Sequence, residues 1–199
     1  MEIALAFGIL WVIFAILMVL LSDKWSTLIL LAFNLTIAAF LLTETDLAGA
    51  LVKTVLGIIS PVIVLLAISR TKQPQPKFGV PTLILGSLLA LVLSYLAAYL
   101  LQSQFPVGRT TETYVLIALF SVALLMIISQ KSILKILLGI LILENVGTLL
   151  LTWGENTAIF GAVAEVFVVL ITLTIALIAV MDFAEYETID SSKLTRLRG

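Results

Sequence analysis

Residues 132–153 read SILKILLGILILENVGTLLLTW, an almost wholly apolar run with Lys135 near its start and Glu144-Asn145 at its middle. A helix crossing a bilayer needs roughly 20 apolar residues, because the hydrocarbon core is about 30 Å thick and each residue rises about 1.5 Å. This run meets that length. It also carries an acid where an unpaired charge costs about 2.5–3.5 kcal/mol on insertion scales, so the acid must be paired, hydrated or protonated. Both facts set the reading of the rest of the chain.

Six further runs have the same length and character, at about 3–22, 25–43, 47–69, 79–102, 113–130 and 157–181. The breaks between them carry turn or charge chemistry: Ser22-Asp23-Lys24, Thr43-Glu44-Thr45-Asp46, the proline-rich 70–77, the polar 104–112, Ser129-Gln130-Lys131 and Gly154-Glu155-Asn156. Of the 199 residues 62% are hydrophobic and 12% charged, and the mean hydropathy is +1.25. A soluble domain is about half apolar and about a quarter charged, and this chain has too few polar residues to cover one. The expected fold is therefore all-α, a polytopic membrane bundle of about seven transmembrane helices. The first run follows only Glu2, with no basic segment before it and no small-residue cleavage site after it, and is read as a retained helix.

With connections this short, the helices should alternate up and down. Labelled from an outside N-terminus, the inside segments hold Lys24, Arg70, Lys72, Lys77, Lys131, Lys135, Lys193, Arg196 and Arg198. The outside segments hold Arg109 alone, and Lys53 falls within a span. That bias satisfies the positive-inside rule and predicts a cytoplasmic C-terminus. The loop at 71–77 divides a three-helix unit, 1–70, from a four-helix unit, 78–181, and the charged tail 182–199 is expected on the cytoplasmic surface.

Composition narrows the chemistry. A net charge of -1 argues against a nucleic-acid partner and leaves lipid as the surrounding medium. With no cysteine there are no disulfides, thiolate metal sites or iron–sulfur ligands, and with no histidine the commonest metal ligand is missing. Proton chemistry has to rest on carboxylates, lysine, tyrosine or water.

Three charged residues lie deep inside predicted spans, Lys53, Glu144 and Glu165, whereas Lys135 stands at the inner end of its span. From the outer helix ends they fall roughly 9, 13 and 12 Å deep, and Asn34 falls at about 13 Å. Four polar side chains from four helices thus share one layer. Two carboxylates in such a layer repel when both are charged, while a nearby ammonium offsets one of them. Coupled groups of this kind can pass a proton between them. The plainer readings are a protonated acid that only holds helices together, and a Lys53 that snorkels to its helix end. Asn145 is expected to hydrogen-bond to Glu144, or else to belong to a small-residue packing face with Gly139 and Gly147. Pro61 removes an N–H and frees a carbonyl near Gly57, so Gly57, Ser60 and Pro61 mark a kink, either static and satisfied by Ser60 or a hinge. Trp25, Tyr114 and Trp153 read as interfacial anchors.

The order of features resembles a known family. Ser129-Gln130-Lys131-Ser132-Ile133-Leu134-Lys135, followed by Gly139-Ile140-Leu141-Ile142-Leu143-Glu144-Asn145, is similar to the E component of the hydrogenase-four and formate hydrogenlyase membrane arm. That family carries a Glu-Asn pair on this helix and an acid early in the last one, matched by Glu165, although it often uses Asp there. Ala50-Leu51-Val52-Lys53 with Pro61 resembles its third helix, and the tail from Thr188 to Gly199 resembles its short Asp-x-x-x-Leu-x-x-Leu-basic-Gly ending. The last three helices are also similar to the K subunit of complex I. The resemblance implies a subunit with no cofactor and no catalytic site of its own. It would sit in a prokaryotic cytoplasmic membrane between a redox or hydrogenase module and antiporter-like and H-subunit-like partners. Its buried acids, Glu144 and Glu165 with Lys53, would couple electron transfer to proton or sodium movement. A scaffold whose acids serve only helix contacts is the competing expectation. A stand-alone transporter or receptor is disfavoured by the short outer loops, the absence of an inverted repeat and the absence of a lysine in the last helix.

Overall fold

Among the described residues, the seven apolar runs form seven helices. The structure, a computed structural model, describes residues 2–44, 46–72, 74, 78–102, 110–153, 158–191 and 193. Lys77, Arg109, Arg196, Arg198, the turn at 154–156 and most of the 71–77 linker lie outside these described residues. The helices are α1 (Glu2–Leu20), α2 (Asp23–Thr43), α3 (Leu47–Ser69), α4 (Val80–Gln102), α5 (Thr110–Ser129), α6 (Ile133–Trp153) and α7 (Ala158–Tyr186). All seven are long and apolar enough to cross a membrane, and the protein is a polytopic membrane helix bundle. Helices answer the bilayer's central demand, since each satisfies its own backbone where no water is present to do so.

Consecutive helices reverse direction, so a helix runs parallel to the one four places on. The first three use this relation directly: α1 packs on α5, α2 on α6 and α3 on α7. Contacts between successive helices close a ring, α1–α2–α3–α7–α6–α5, with α4 applied to the outside of α5 and touching α1. Most of the core lies where α1, α2, α5 and α6 meet, around Trp11, Phe33, Leu119 and Met126, all fully buried. Trp11 is held by a hydrogen bond from its indole Nε1 to Thr36 Oγ1 at 3.0 Å and by an edge-on contact with Phe40 at 5.3 Å. The outward faces of α4 and α7 stay apolar, with Leu85 and Met181 more than two-thirds exposed. That is the surface a lipid medium requires.

One end of the bundle, here the tail face, gathers the α1–α2, α3–α4 and α5–α6 connections and the segment after α7. Among the described residues it holds Lys24, Arg70, Lys72, Lys131 and Lys193 in or beside these connections, whereas the connection at the opposite face carries Glu44 and Asp46. The tail departs from expectation. Instead of leaving the bundle at Asp182, the helix continues to Tyr186. Glu187 then turns in the left-handed region, with φ 54°. The chain folds back so that Ile133 N–H donates to Ile189 O at 3.2 Å and Ser191 N–H to Lys131 O at 3.0 Å. Ile189 is fully buried and Asp190 nearly so. An apolar residue in a polar tail gains by covering the base of the helices, which overrides the segment's polarity.

Candidate functional site

The buried face of α3 comprises Ala50, Lys53, Gly57, Ser60, Pro61, Val64 and Ala67. These recur every three or four residues, as one side of a helix must. Most are small, so neighbouring helices approach closely, and the one long side chain, Lys53, extends into the space they enclose. It does not snorkel. Lys53 is 1% exposed, and its Nζ donates to Glu144 Oε1 at 3.0 Å and Oε2 at 2.9 Å from α6, and to Glu165 Oε1 from α7. Three N–H donors meet three carboxylate oxygens, which exhausts the ammonium's donors.

Glu144 takes a further hydrogen bond from Thr148 Oγ1 at 2.8 Å, one turn along the same helix. The Lys53 ammonium thus bridges the Glu144 and Glu165 carboxyl groups, so two acids share one cation. One ammonium between two carboxylates leaves a buried excess of one negative charge unless a proton or another cation is present, and the low-dielectric interior penalises that excess heavily. The three side chains are not equally enclosed: Glu144 is 10% exposed against 4% for Glu165 and 1% for Lys53.

Beside the charges lies an amide bridge. Asn34 Nδ2 donates to Gly57 O at 2.7 Å, and Asn145 Nδ2 donates to Asn34 Oδ1 at 3.0 Å and to Leu141 O at 2.8 Å. This corrects two expectations. Asn145 bonds to Asn34 and not to Glu144, because adjacent helical residues point about 100° apart and Asn145 faces α2. The carbonyl freed by Pro61 is that of Gly57, four residues back, and Asn34 satisfies it, whereas Ser60 Oγ has no partner among the described residues. α3 runs unbroken through Pro61. Gly57 allows the close approach, since a Cβ there would stand 3.1 Å from the Asn34 Cβ.

A double-mutant cycle tests this arrangement. Asn34→Leu should cost about 1–3 kcal/mol by orphaning the Gly57 carbonyl. In a Pro61→Ala background the restored N–H takes that carbonyl, and the cost should fall by about half or more. Detergent-titration unfolding followed by circular dichroism measures both. Equal costs in the two backgrounds would separate Asn34 from the proline.

The sequence reading missed a second buried charge cluster. Lys135, counted above among the loop cations, is 2% exposed in the first turns of α6. Its Nζ donates to Leu21 O and to Ser26 Oγ at 3.0 Å, with Asp23 Oδ1 at 3.9 Å. Asp23 Oδ2 also accepts from Ser132 Oγ at 2.7 Å. An ammonium at the C-terminal carbonyls of α1 complements the helix dipole, so a structural role accounts for it.

The parallel pairing of helices gives the main site an internal symmetry. Gly49-Ala50-Leu51-Val52-Lys53 on α3 corresponds to Gly161-Ala162-Val163-Ala164-Glu165 on α7. Lys53 and Glu165 are thus matching positions that meet across the α3–α7 interface, as Asn34 and Asn145 meet across α2–α6. The Gly-Ala-x-x-charge pattern was visible in the sequence as a direct repeat. No protein-family model, curated protein or solved structure matches the chain, so its functional reading rests on this geometry and on the order of its residues.

Proposed function

We propose that this membrane protein is an ion-coupling subunit, in which Lys53, Glu144 and Glu165 bind and release a proton, or a sodium ion in its place, during the turnover of a larger assembly. The observation that carries the reading is one buried ammonium shared by two buried carboxylates. A purely structural contact needs one acid per cation. A second acid in the same low-dielectric site calls for an exchangeable positive charge, and intramembrane acids of this kind mark ion pathways. Thr148 and the Asn34–Asn145–Gly57 bridge hold the helices that present these groups.

The resemblance of most of the chain, strongest from Ser129 to the end, to the E component of the formate hydrogenlyase membrane arm, and of the last three helices to the complex I K subunit, suggests the assembly. It would be a complex I-related, nickel–iron hydrogenase-type complex in a prokaryotic cytoplasmic membrane. The redox module would lie on the tail-face side, and antiporter-like and H-subunit-like chains within the membrane. The lysine-rich tail face fits a cytoplasmic orientation. The protein itself carries out no redox chemistry in this reading.

Isolation of the full-length protein from its native membrane in mild detergent, with mass spectrometry of what accompanies it, tests the assignment. Antiporter-like and metal-binding hydrogenase subunits are the expected company. Recovery as a lone chain from membranes that retain an active hydrogenase would overturn it.

A further inference from the structure

Beneath the charged cluster the α3–α7 interface carries a second polar level. Lys53 and Glu165 touch across parallel helices, so residues two turns further along each helix should face one another again. Those residues are Ser60 and Thr172, 3% and 0% exposed and roughly 10 Å nearer the tail face. The helices remain packed beyond them, because Ala67 and Ala179, a further two turns on, belong to one apolar cluster with Leu134, Ala176 and Ile189.

The hydroxyl at this level is unusual. Ser87 and Ser94 donate to the carbonyls four residues back, Leu83 O at 2.9 Å and Ala90 O at 2.6 Å. Ser60 Oγ makes no such bond and has no partner among the described residues, although it is buried. Thr172 donates to Val168 O at 2.7 Å and keeps its oxygen as an acceptor. Asn145 Oδ1, beside the amide bridge, is a second buried acceptor with no partner among the described residues. A buried hydroxyl that faces another polar group beyond direct reach is a place for a bridging water.

The neighbouring α2–α6 seam provides the contrast. Between Asn34–Asn145 and Asp23–Lys135 it is filled by Leu30, Leu138 and Leu141, each 3% exposed or less. The hydroxyls there, Ser26 and Thr27, are both hydrogen-bonded to backbone carbonyls, which leaves a water no partner. The α3–α7 column is mostly small and hydroxylic, with Val64 between Ser60 and Ala67, and Ile189 is seated at its tail-face end against Ala67, Leu134, Ala176 and Ala179.

We propose that the α3–α7 seam is the route by which water, and protons with it, reaches Lys53 and Glu165 from the tail face, with Ser60 and Thr172 holding the water and Ile189 acting as its stopper. The inference deepens the ion-coupling reading and rests on it for the protons, though not for the water. A proton arriving by this route would meet the two most enclosed members of the cluster. Glu144, the more exposed member, would be the group that faces the exterior.

The chain contains no cysteine, so introduced single cysteines report without background. In the full-length protein in chloride-free detergent solution, Ag⁺ is the probe, and its capture is read as loss of maleimide labelling after unfolding. Ser60→Cys should react slowly when Ile189 is present, and about tenfold faster or more in an Ile189→Ala background, as an opened path requires. Leu141→Cys lies at nearly the same depth on the α2–α6 seam, and it should react slowly in both backgrounds. A Ser60→Cys rate indifferent to Ile189→Ala would overturn the route. Equal acceleration of Leu141→Cys would do the same, by showing general loosening. If Ile189→Ala does not fold, Ile189→Val gives the same comparison, with a smaller rise expected and an unchanged rate counting against the route. The two readings fail separately. An opened seam with full ion coupling in glutamine variants of both acids sinks the coupling reading alone, and an indifferent seam with coupling lost in those variants sinks the route alone.

Discussion

Replacing Lys53 with methionine should destabilise the bundle by about 3–5 kcal/mol, the cost of breaking a buried ion pair by removing one partner. Methionine keeps much of the length and the apolar stem, so packing along α3 is largely preserved. What disappears is the ammonium that donates to both Glu144 oxygens and to Glu165. The two acids, 10% and 4% exposed, are then left against one another without the cation that paired them. They can relieve the repulsion only by taking up protons or by moving α6 away from α7. The triple variant Lys53→Met, Glu144→Gln, Glu165→Gln should recover most of the loss, because neutral amides hydrogen-bond to each other without a counter-charge. Unfolding by detergent titration, followed by circular dichroism, gives both values. A loss below about 1 kcal/mol for Lys53→Met would match an exposed pair and contradict the enclosed geometry.

Glu144→Gln and Glu165→Gln should each lower coupled ion translocation by at least about tenfold while the assembly still forms, since a positioned proton-transfer group typically contributes 10²–10⁴-fold. Glutamine has nearly the shape of glutamate, and its carbonyl oxygen still accepts from the Lys53 ammonium. It cannot take up or release a proton. The variants therefore separate exchange from packing, with redox activity of the isolated complex expected to survive and transport into vesicles expected to fail. A scaffold role predicts the reverse, with assembly lost and transport normal in whatever assembles. Thr148→Val sets the scale, because it removes one hydrogen bond from Glu144 and no ionisable group. Its effect on transport should be much smaller than that of either glutamine.

Much of this was legible in the sequence because lipid leaves few alternatives. A run such as 132–153 has only one way to satisfy its backbone, so seven runs predict seven helices. Rise per residue then sets depth, which is why Lys53, Glu144, Glu165 and Asn34 could be placed in one layer without knowing which helices touch. Direction around each helix was harder to read. Glu144 and Asn145 are adjacent in the chain but serve different neighbours, α3 with α7 and α2, and that depends on packing between helices far apart in sequence. The same limit hid the hydrogen bond that Asn34 Nδ2 donates to the Gly57 carbonyl. Lys135 illustrates a different failure. A lysine close to a span's end counts as a loop charge by position, yet the C-terminus of α1 and Asp23 form a buried site for it. Ile189 was hidden by its neighbours, since an apolar residue flanked by Thr188 and Asp190 has no periodicity to declare it.

One ammonium cannot neutralise both acids, so the site is expected to hold an exchangeable proton. Difference infrared spectroscopy of the full-length protein in lipid, in sodium-free buffer near neutral pH, observes that proton through the carbonyl stretch of a protonated carboxyl group. The wild type should show the signal of a single buried, protonated acid. It should be weakened or shifted in Glu144→Gln and in Glu165→Gln, and absent when both are replaced. A wild-type spectrum in which both acids are ionised, with no protonated carboxyl signal lost on replacing them, would show that the site holds no such proton.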